Sequence, residues 1–227
     1  MAIASSRGFP EKARVRLLGF AAVVGDEHRH SFGLRLSGAA EGFDWDVEAV
    51  GQVGEVAQLD IRAWTVASDF GFVFEQVPLK PRLGFKADVA SGDRHAGDGT
   101  LGTFNALYPR FPYFSEAILV VPANLIDLNL SLRVHPIASL TLELGWNPVW
   151  RYDTSDAVYA APLDPIAGTA GEPGRFTAHQ TIVGFTWALN RSLNLTGQYV
   201  HAVPANALRD VGGDAVGFGT ASLTFKY

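Results

Sequence analysis

Hydrophobic and polar residues alternate along much of this chain with a period of two. The clearest run lies at residues 126–134, where every second residue is apolar, from Ile126 to Val134. Successive side chains of a β-strand point to opposite faces, so this run predicts a strand with one apolar and one polar face. The sequence HPIAS at 135–139 predicts a turn, and a second alternating strand follows from Leu140.

Further alternating runs predict a meander of about ten strands. A hairpin is predicted around AAEG at 39–42, and other strands are predicted at residues 59–64, 81–90, 177–188, 192–203 and 215–227. Long loops follow two of the strands, at about 91–124 and 150–176, whereas other connections are short. Alternating short and long connections are typical of an up-and-down antiparallel sheet.

We therefore predict an all-β fold, either a membrane β-barrel or an incomplete half barrel, with an irregular segment at 1–12 and the barrel domain at 13–227. The apolar segment at 13–24 fits either a strand or a short buried helix.

Composition narrows the function classes. The 227 residues include 24 glycines and 12 prolines but no cysteine, which excludes disulfides and thiolate metal sites. The net charge of -5 argues against a nucleic-acid partner. There is no run of about 18 apolar residues, so a transmembrane helix is excluded. The first residues lack the apolar region of a secretory signal peptide.

Alternation alone leaves the solvent on the apolar face open. A soluble β-barrel or sandwich that binds a small ligand would show the same pattern as a membrane barrel. Large aromatic residues lie toward the strand ends on the apolar faces, as in the girdles of membrane barrels or in an ordinary core: Phe43, Trp45, Trp146, Trp187, Tyr199 and Tyr227.

Three motifs carry a family resemblance. They are KADVASGDR at 86–94, LGTFNALYPRFPYFSE at 101–116 and PANLIDLNLSLRVHP at 122–136. From about residue 25 onward the chain resembles the alginate export family of bacterial outer-membrane β-barrels. The resemblance implies an outer-membrane location, contact with its lipid, and a channel for an anionic polysaccharide such as alginate or for small anions. Family members are longer and carry a signal peptide, so the likeness is to the C-terminal part, and an N-terminal half of the barrel is an expected partner.

Basic residues on the polar sides of the strands are the candidate binding groups for such a ligand. The planar fork of arginine suits carboxylates, and the candidates are Arg35, Arg62, Arg82, Lys86 and Arg133. The alternative is that they form ion pairs that stabilise the wall, with Asp44, Asp60, Asp88 and Glu143. Asp93 and Arg94, at the entrance of the first long loop, are predicted to form an ion pair that orders it.

Other motifs do not indicate catalysis, a cofactor or a metal. Gly97, Gly99 and Gly102 match GxGxxG, but prolines follow where a dinucleotide site needs a helix, so we interpret these glycines as loop residues. His28 and His30 lack a third ligand nearby.

The aromatic residues of the first long loop fit either a plug inside a barrel or a cover over its rim: Phe104, Tyr108, Phe111, Tyr113 and Phe114.

Overall fold

Long antiparallel strands make up most of the structure. A computed structural model describes residues 26–106 and 113–226, together with three short strands, Ala2–Ser5 (β1), Arg14–Val15 (β2) and Val23–Val24 (β3). The other strands are Glu27–Ala40 (β4), Phe43–Val56 (β5), Leu59–Val73 (β6), Arg82–Ala90 (β7), Thr100–Leu101 (β8), Leu125–Ile137 (β9), Leu140–Trp150 (β10), Tyr159–Ala160 (β11), Asp164–Pro165 (β12), Phe176–Ala188 (β13), Leu193–Pro204 (β14) and Val216–Phe225 (β15).

Ten of these strands form one antiparallel meander. Their order is β1-β4-β5-β6-β7-β9-β10-β13-β14-β15, and β8 pairs in parallel with β6 at its side. Within the described residues, β1 and β15 are the two edges, so this sheet is open and does not close into a barrel. This confirms the predicted all-β meander of about ten strands in its half-barrel form, while the boundary between residues 1–12 and 13–227 stays a prediction.

The predicted hairpin around AAEG is present. Ala40 pairs with Phe43, and the two residues between them, Glu41 and Gly42, have φ angles of 52° and 84°. Positive φ at both central residues is the type I′ turn, whose twist matches that of the flanking strands. The β9–β10 turn lies within HPIAS as predicted, although β9 continues to Ile137.

The long connections leave the sheet at one end. Because the strands alternate in direction, β5, β7, β10 and β14 all finish at that end, where the loops at 91–124, 151–175 and 205–215 begin. The last loop contains the helix Asn206–Arg209 (α1). Among the described residues, no helix has the length and apolarity needed to cross a membrane.

One face of the sheet, called here the apolar face, is bare. Leu130, in the middle of β9, remains 48% exposed. Glycines on this face leave room for aromatic rings, since Trp45 lies over Gly38 and Phe185 over Gly197. Other large exposed side chains of the face are Phe32, Leu34, Leu36, Phe43, Trp64, Val66, Phe72, Leu83, Phe85, Leu132, Leu142, Leu144, Trp146, Val183, Trp187, Tyr199, Leu223 and Phe225.

The opposite face, called here the polar face, carries most of the charged residues of the strands and a buried core cluster. The loop at 91–124 folds onto it near the long-loop end of the sheet. There Phe104 packs with Ala63, Ala90, Leu125 and Val149 in a buried cluster. The core therefore lies beneath a loop on the polar side, and the apolar side faces outward.

Leu130→Arg tests the assignment of the apolar face. If this face contacts lipid, a charge in the middle of β9 should cost roughly 2 to 4 kcal/mol of folding free energy. Unfolding by denaturant in lipid vesicles would measure the loss. Thr220→Arg places the same charge at an exposed position on the polar face and should cost little. Equal losses in the two variants would contradict the assignment.

Candidate functional site on the polar face

Four of the five predicted basic residues lie on the polar face, and each is paired with a carboxylate. Arg35 on β4 donates from Nε to Oδ1 of Asp46 on β5 at 2.8 Å. Lys86 Nζ lies 3.6 Å from Oδ2 of Asp69 on β6. Arg133 on β9 donates from Nη2 to Oε2 of Glu143 on β10 at 2.9 Å.

Arg82 makes the longest reach across the sheet. It lies on β7, yet its Nε donates to Oδ2 of Asp44 on β5 at 3.0 Å, which requires the side chain to cross β6. Gly71 and Gly84, cross-strand neighbours on β6 and β7, lie beneath it. A Cβ at Gly71 would overlap the guanidinium of Arg82. The two glycines thus form a slot that lets Arg82 join three strands.

Arg62 does not lie on this face, which corrects the prediction. It is the cross-strand neighbour of Val53 and shares the apolar face with Trp64. Its side chain is exposed and lies 3.4 Å from Asp60 near the end of β6. Ile61 and Ala63, which flank Arg62 in the sequence, are buried on the polar side, where Phe104 of the first long loop packs against Ala63.

The predicted pairing of Asp88 with a basic residue is also wrong. Within the described residues no Lys, Arg or His nitrogen lies within ion-pair distance of Asp88. Asp88 Oδ1 instead accepts the backbone N–H of Ser68 at 3.0 Å. Its cross-strand neighbour on β9 is Asp127, another acid. The partner of Asp88 was not predicted because a loop of more than thirty residues separates β7 from β9.

The predicted Asp93–Arg94 ion pair is replaced by contacts between the two long loops. Arg94 Nε lies 3.6 Å from Oδ2 of Asp153, and its guanidinium lies over the ring of Tyr152. Asp93 donates its backbone N–H to Oδ2 of Asp156 at 2.8 Å. Both residues do order the loop at 91–124, but they do so by joining it to the loop at 151–175.

Asp156 is the centre of this junction between loops. Its Oδ2 accepts hydrogen bonds from the Thr103 hydroxyl at 2.6 Å and from the Asp93 N–H. Its Oδ1 accepts the Tyr159 hydroxyl at 2.7 Å and the N–H of Ala157. Burial raises the pKa of the Asp156 carboxyl, although these donors oppose the shift. Sequence reasoning missed this residue because its partners in the other loop lie more than fifty positions away.

Residues 113–116 of the first long loop form a strap that crosses the polar face. Tyr113 lies under Lys86, with Nζ 5.7 Å from the ring centroid. Ser115 donates its hydroxyl to Oε1 of Gln180 on β13 at 3.0 Å, and Glu116 donates its N–H to Oε1 of Gln198 on β14 at 2.7 Å. The strap is thus fixed to two strands.

Phe104 and Tyr113, two of the described aromatic residues of the first long loop, both lie against the polar face of the sheet. Phe104 is buried against the polar face, and burial raises the pKa of Tyr113. Tyr108 and Phe111 lie outside the described residues. Gly97 and Gly99 have φ angles of 93° and 85° in the loop, which agrees with their interpretation as loop residues.

Beyond the strap, the polar face lines an open cavity of about 890 Å³. Its lining comes from β6 to β15, so the sheet curves around it. Arg82, Arg133 and Glu143 lie on one side, and threonine, serine and glutamine residues of β13 to β15 lie on the other: Thr186, Thr196, Gln198, Thr220 and Ser222. The cavity is therefore lined by polar groups that suit a hydrated or hydroxyl-rich ligand.

An antiparallel meander with a bare apolar face and a charged face around a cavity is the architecture of a membrane β-barrel wall. The family model for alginate export matches residues 8–221. The chain belongs to the alginate export family, a family of outer-membrane β-barrel proteins of polysaccharide transport and not of enzymes. No curated protein matches the chain.

Gly71→Ala tests the glycine slot. The added methyl should displace Arg82 from Asp44 and lower the free energy of unfolding by about 1 kcal/mol. Hydrogen bonds between charged groups contribute about 1.5 to 3 kcal/mol to stability, and replacing a strand glycine with alanine offsets part of their loss. Denaturant unfolding would measure the loss. Gly51→Ala is the matched control, because a Cβ there meets nothing within 4 Å.

A second comparison isolates the mechanism. In an Arg82→Ala background, Gly71→Ala should no longer destabilise, because the side chain it displaces is gone. A loss of equal size in both backgrounds would contradict the role of the slot.

Asp156→Asn tests the loop junction. The amide keeps the size of the carboxyl but replaces one acceptor oxygen with an N–H₂ group that meets two donors, at a cost of about 1 to 3 kcal/mol. We expect faster proteolysis within residues 151–175 at unchanged sheet content by circular dichroism. Asp164→Asn, an exposed acid in the same loop, should digest at the wild-type rate. Equal rates for all three proteins would contradict the role of Asp156.

Proposed function

We propose that the chain forms part of the wall of a bacterial outer-membrane channel that passes an anionic polysaccharide of the polyuronate type or small anions. The observation that carries the proposal is the division of one sheet between a bare apolar face and a charged face around a polar cavity. Membership of the alginate export family supports the polymer as the transported species.

The apolar face is proposed to contact lipid. Soluble proteins rarely leave a large apolar surface uncovered, whereas a membrane barrel needs an outward apolar band. A soluble sandwich that binds a small ligand is disfavoured by Leu130 and Leu132, which are 48% and 37% exposed. The described residues of the loop at 91–124 that contact the strands, such as Phe104 and Ser115, pack on the other face. In this arrangement the long-loop end faces the outside of the cell, as is usual for such barrels.

Arg133 is the best candidate among the basic residues for contact with a passing carboxylate. It lines the cavity, and its side chain is 42% exposed, compared with 16% for Arg82. Arg133 is paired with Glu143, so a ligand carboxylate would compete with a wall carboxylate for the same guanidinium. Such exchange gives contacts that are strong enough to admit a polymer and weak enough to release it.

Completion of the channel is proposed to require further strands. The open edges at β1 and β15 leave backbone N–H and C=O groups unpaired, which lipid does not tolerate. A barrel of 16 to 18 strands leaves an aqueous channel, and the meander supplies ten. We propose that an N-terminal half of the barrel, in the same or another chain, pairs with these edges.

Arg133→Ala tests the contact with anions. The preference for anions over cations, measured as a reversal potential of the completed barrel in planar bilayers, should fall because the exposed guanidinium is lost. Arg62→Ala removes an equal charge from the apolar face and should leave the preference unchanged. Arg82→Ala should act mainly on stability. An unchanged reversal potential in Arg133→Ala would assign Arg133 to the wall alone.

A further inference from the structure

Two buried carboxyl groups meet on the polar face, at a site separate from the cavity. Asp88 on β7 and Asp127 on β9 are direct cross-strand neighbours. Residues in this relation have Cβ atoms about 4.5 to 5.5 Å apart, so their side chains touch. Asp88 is 4% exposed and Asp127 is 0% exposed. The two carboxyls therefore share an environment closed to bulk water.

Each carboxyl has one partnered oxygen and one without a partner. Asp88 Oδ1 accepts the N–H of Ser68 at 3.0 Å, and Asp127 Oδ2 accepts from Nδ2 of Asn147 at 2.9 Å. Within the part of the chain that the structure describes, Asp88 Oδ2 and Asp127 Oδ1 have no hydrogen-bond partner. A buried acceptor without a partner costs about 1 to 3 kcal/mol, so two such oxygens side by side require an explanation.

Among the described residues, no ionisable neighbour neutralises the pair. Lys86, next on the same face of β7, is engaged with Asp69 of β6. β5 contributes Glu48, another acid in the same cross-strand row, while Arg35 of β4 is hydrogen-bonded to Asp46 of β5. From β10, the pair is contacted by the neutral Asn147, which donates to Asp127. Burial and the nearby Asp88 raise the pKa of the strap residue Tyr113, so its hydroxyl keeps its proton.

We propose that Asp88 and Asp127 form a proton-binding site, in which one proton is held in a hydrogen bond between Asp88 Oδ2 and Asp127 Oδ1. Two like charges in contact in a buried site strongly disfavour double ionisation. A single shared proton removes one charge and gives both unpartnered oxygens a hydrogen bond. The charge of the polar face beneath Tyr113 then becomes more negative when rising pH removes the proton.

A divalent cation fits the pair less well. Calcium takes six to eight oxygen ligands, and the pair offers two free oxygens. The described residues contain no group of three or more His, Asp or Glu side chains that could hold a metal ion. The proton is the ligand that needs only the two atoms present.

Infrared difference spectroscopy of the full chain in detergent or lipid tests the proposal without reference to transport. At neutral pH the wild type should show the carbonyl stretch of a protonated carboxyl, and raising the pH should abolish it. The same component should be lost in Asp88→Asn and in Asp127→Asn, since the remaining carboxylate then accepts from an amide. Asp60→Asn, whose side chain is 66% exposed on the apolar face, should retain it.

The double replacement of Asp88 and Asp127 by Asn provides a second test if a single variant fails to fold, because two facing amides can hydrogen-bond to each other. This variant should also lack the component. A wild-type spectrum without a protonated carboxyl at neutral pH, or a component that survives in the variants, would overturn the proposal. The infrared measurement does not involve conduction. Failure of the proton-binding proposal would therefore leave the proposed channel function untouched, and failure of the channel function would leave the infrared result unaffected.

Discussion

The structure depends on one constraint, which is that a long strand satisfies its backbone hydrogen bonds within the sheet while its side chains meet two different surroundings. Strands of 9 to 15 residues carry apolar side chains to one face and charged ones to the other. Because the apolar face stays bare, every loop that folds back has only the polar face to cover. The buried cluster around Phe104 and the strap at 113–116 both lie there for this reason.

On the polar face, the ion pair of Arg82 depends on small residues that leave space for its side chain as well as on the opposite charge of Asp44. The reach of Arg82 to Asp44 across β6 is possible because Gly71 and Gly84 have no side chains in its path. Glycine normally weakens a strand because it packs nothing and loses more entropy on folding. Here that weakness is offset by an ion pair that joins three strands, so the two glycines and Arg82 act as one structural unit.

The sequence predicts the strands well because alternation is a local signal, and the hairpin at AAEG and the turn within HPIAS follow from local turn chemistry. The face of Arg62 is not predictable in this way, because Ile61 and Trp64 are both apolar yet lie on opposite faces of β6, and a distant loop decides which face is buried. Partners such as Thr103 for Asp156 have no local signal either. Their contacts depend on how two long loops meet, which is a property of the folded chain.

The pairing of charges in the wall bears on how the proposed selection for anions would work. If every guanidinium were free, a polyuronate would bind tightly at each one and leave slowly, whereas conduction needs sites that release their ligand. Pairing with Glu143 weakens the net attraction of Arg133 without removing its fork of donors. Exposure then decides which pairs can exchange: Arg133 and Glu143 face the cavity, but Arg82 is held in its slot. In the proposed channel, Arg82 would therefore serve wall stability, whereas Arg133 would contact the ligand.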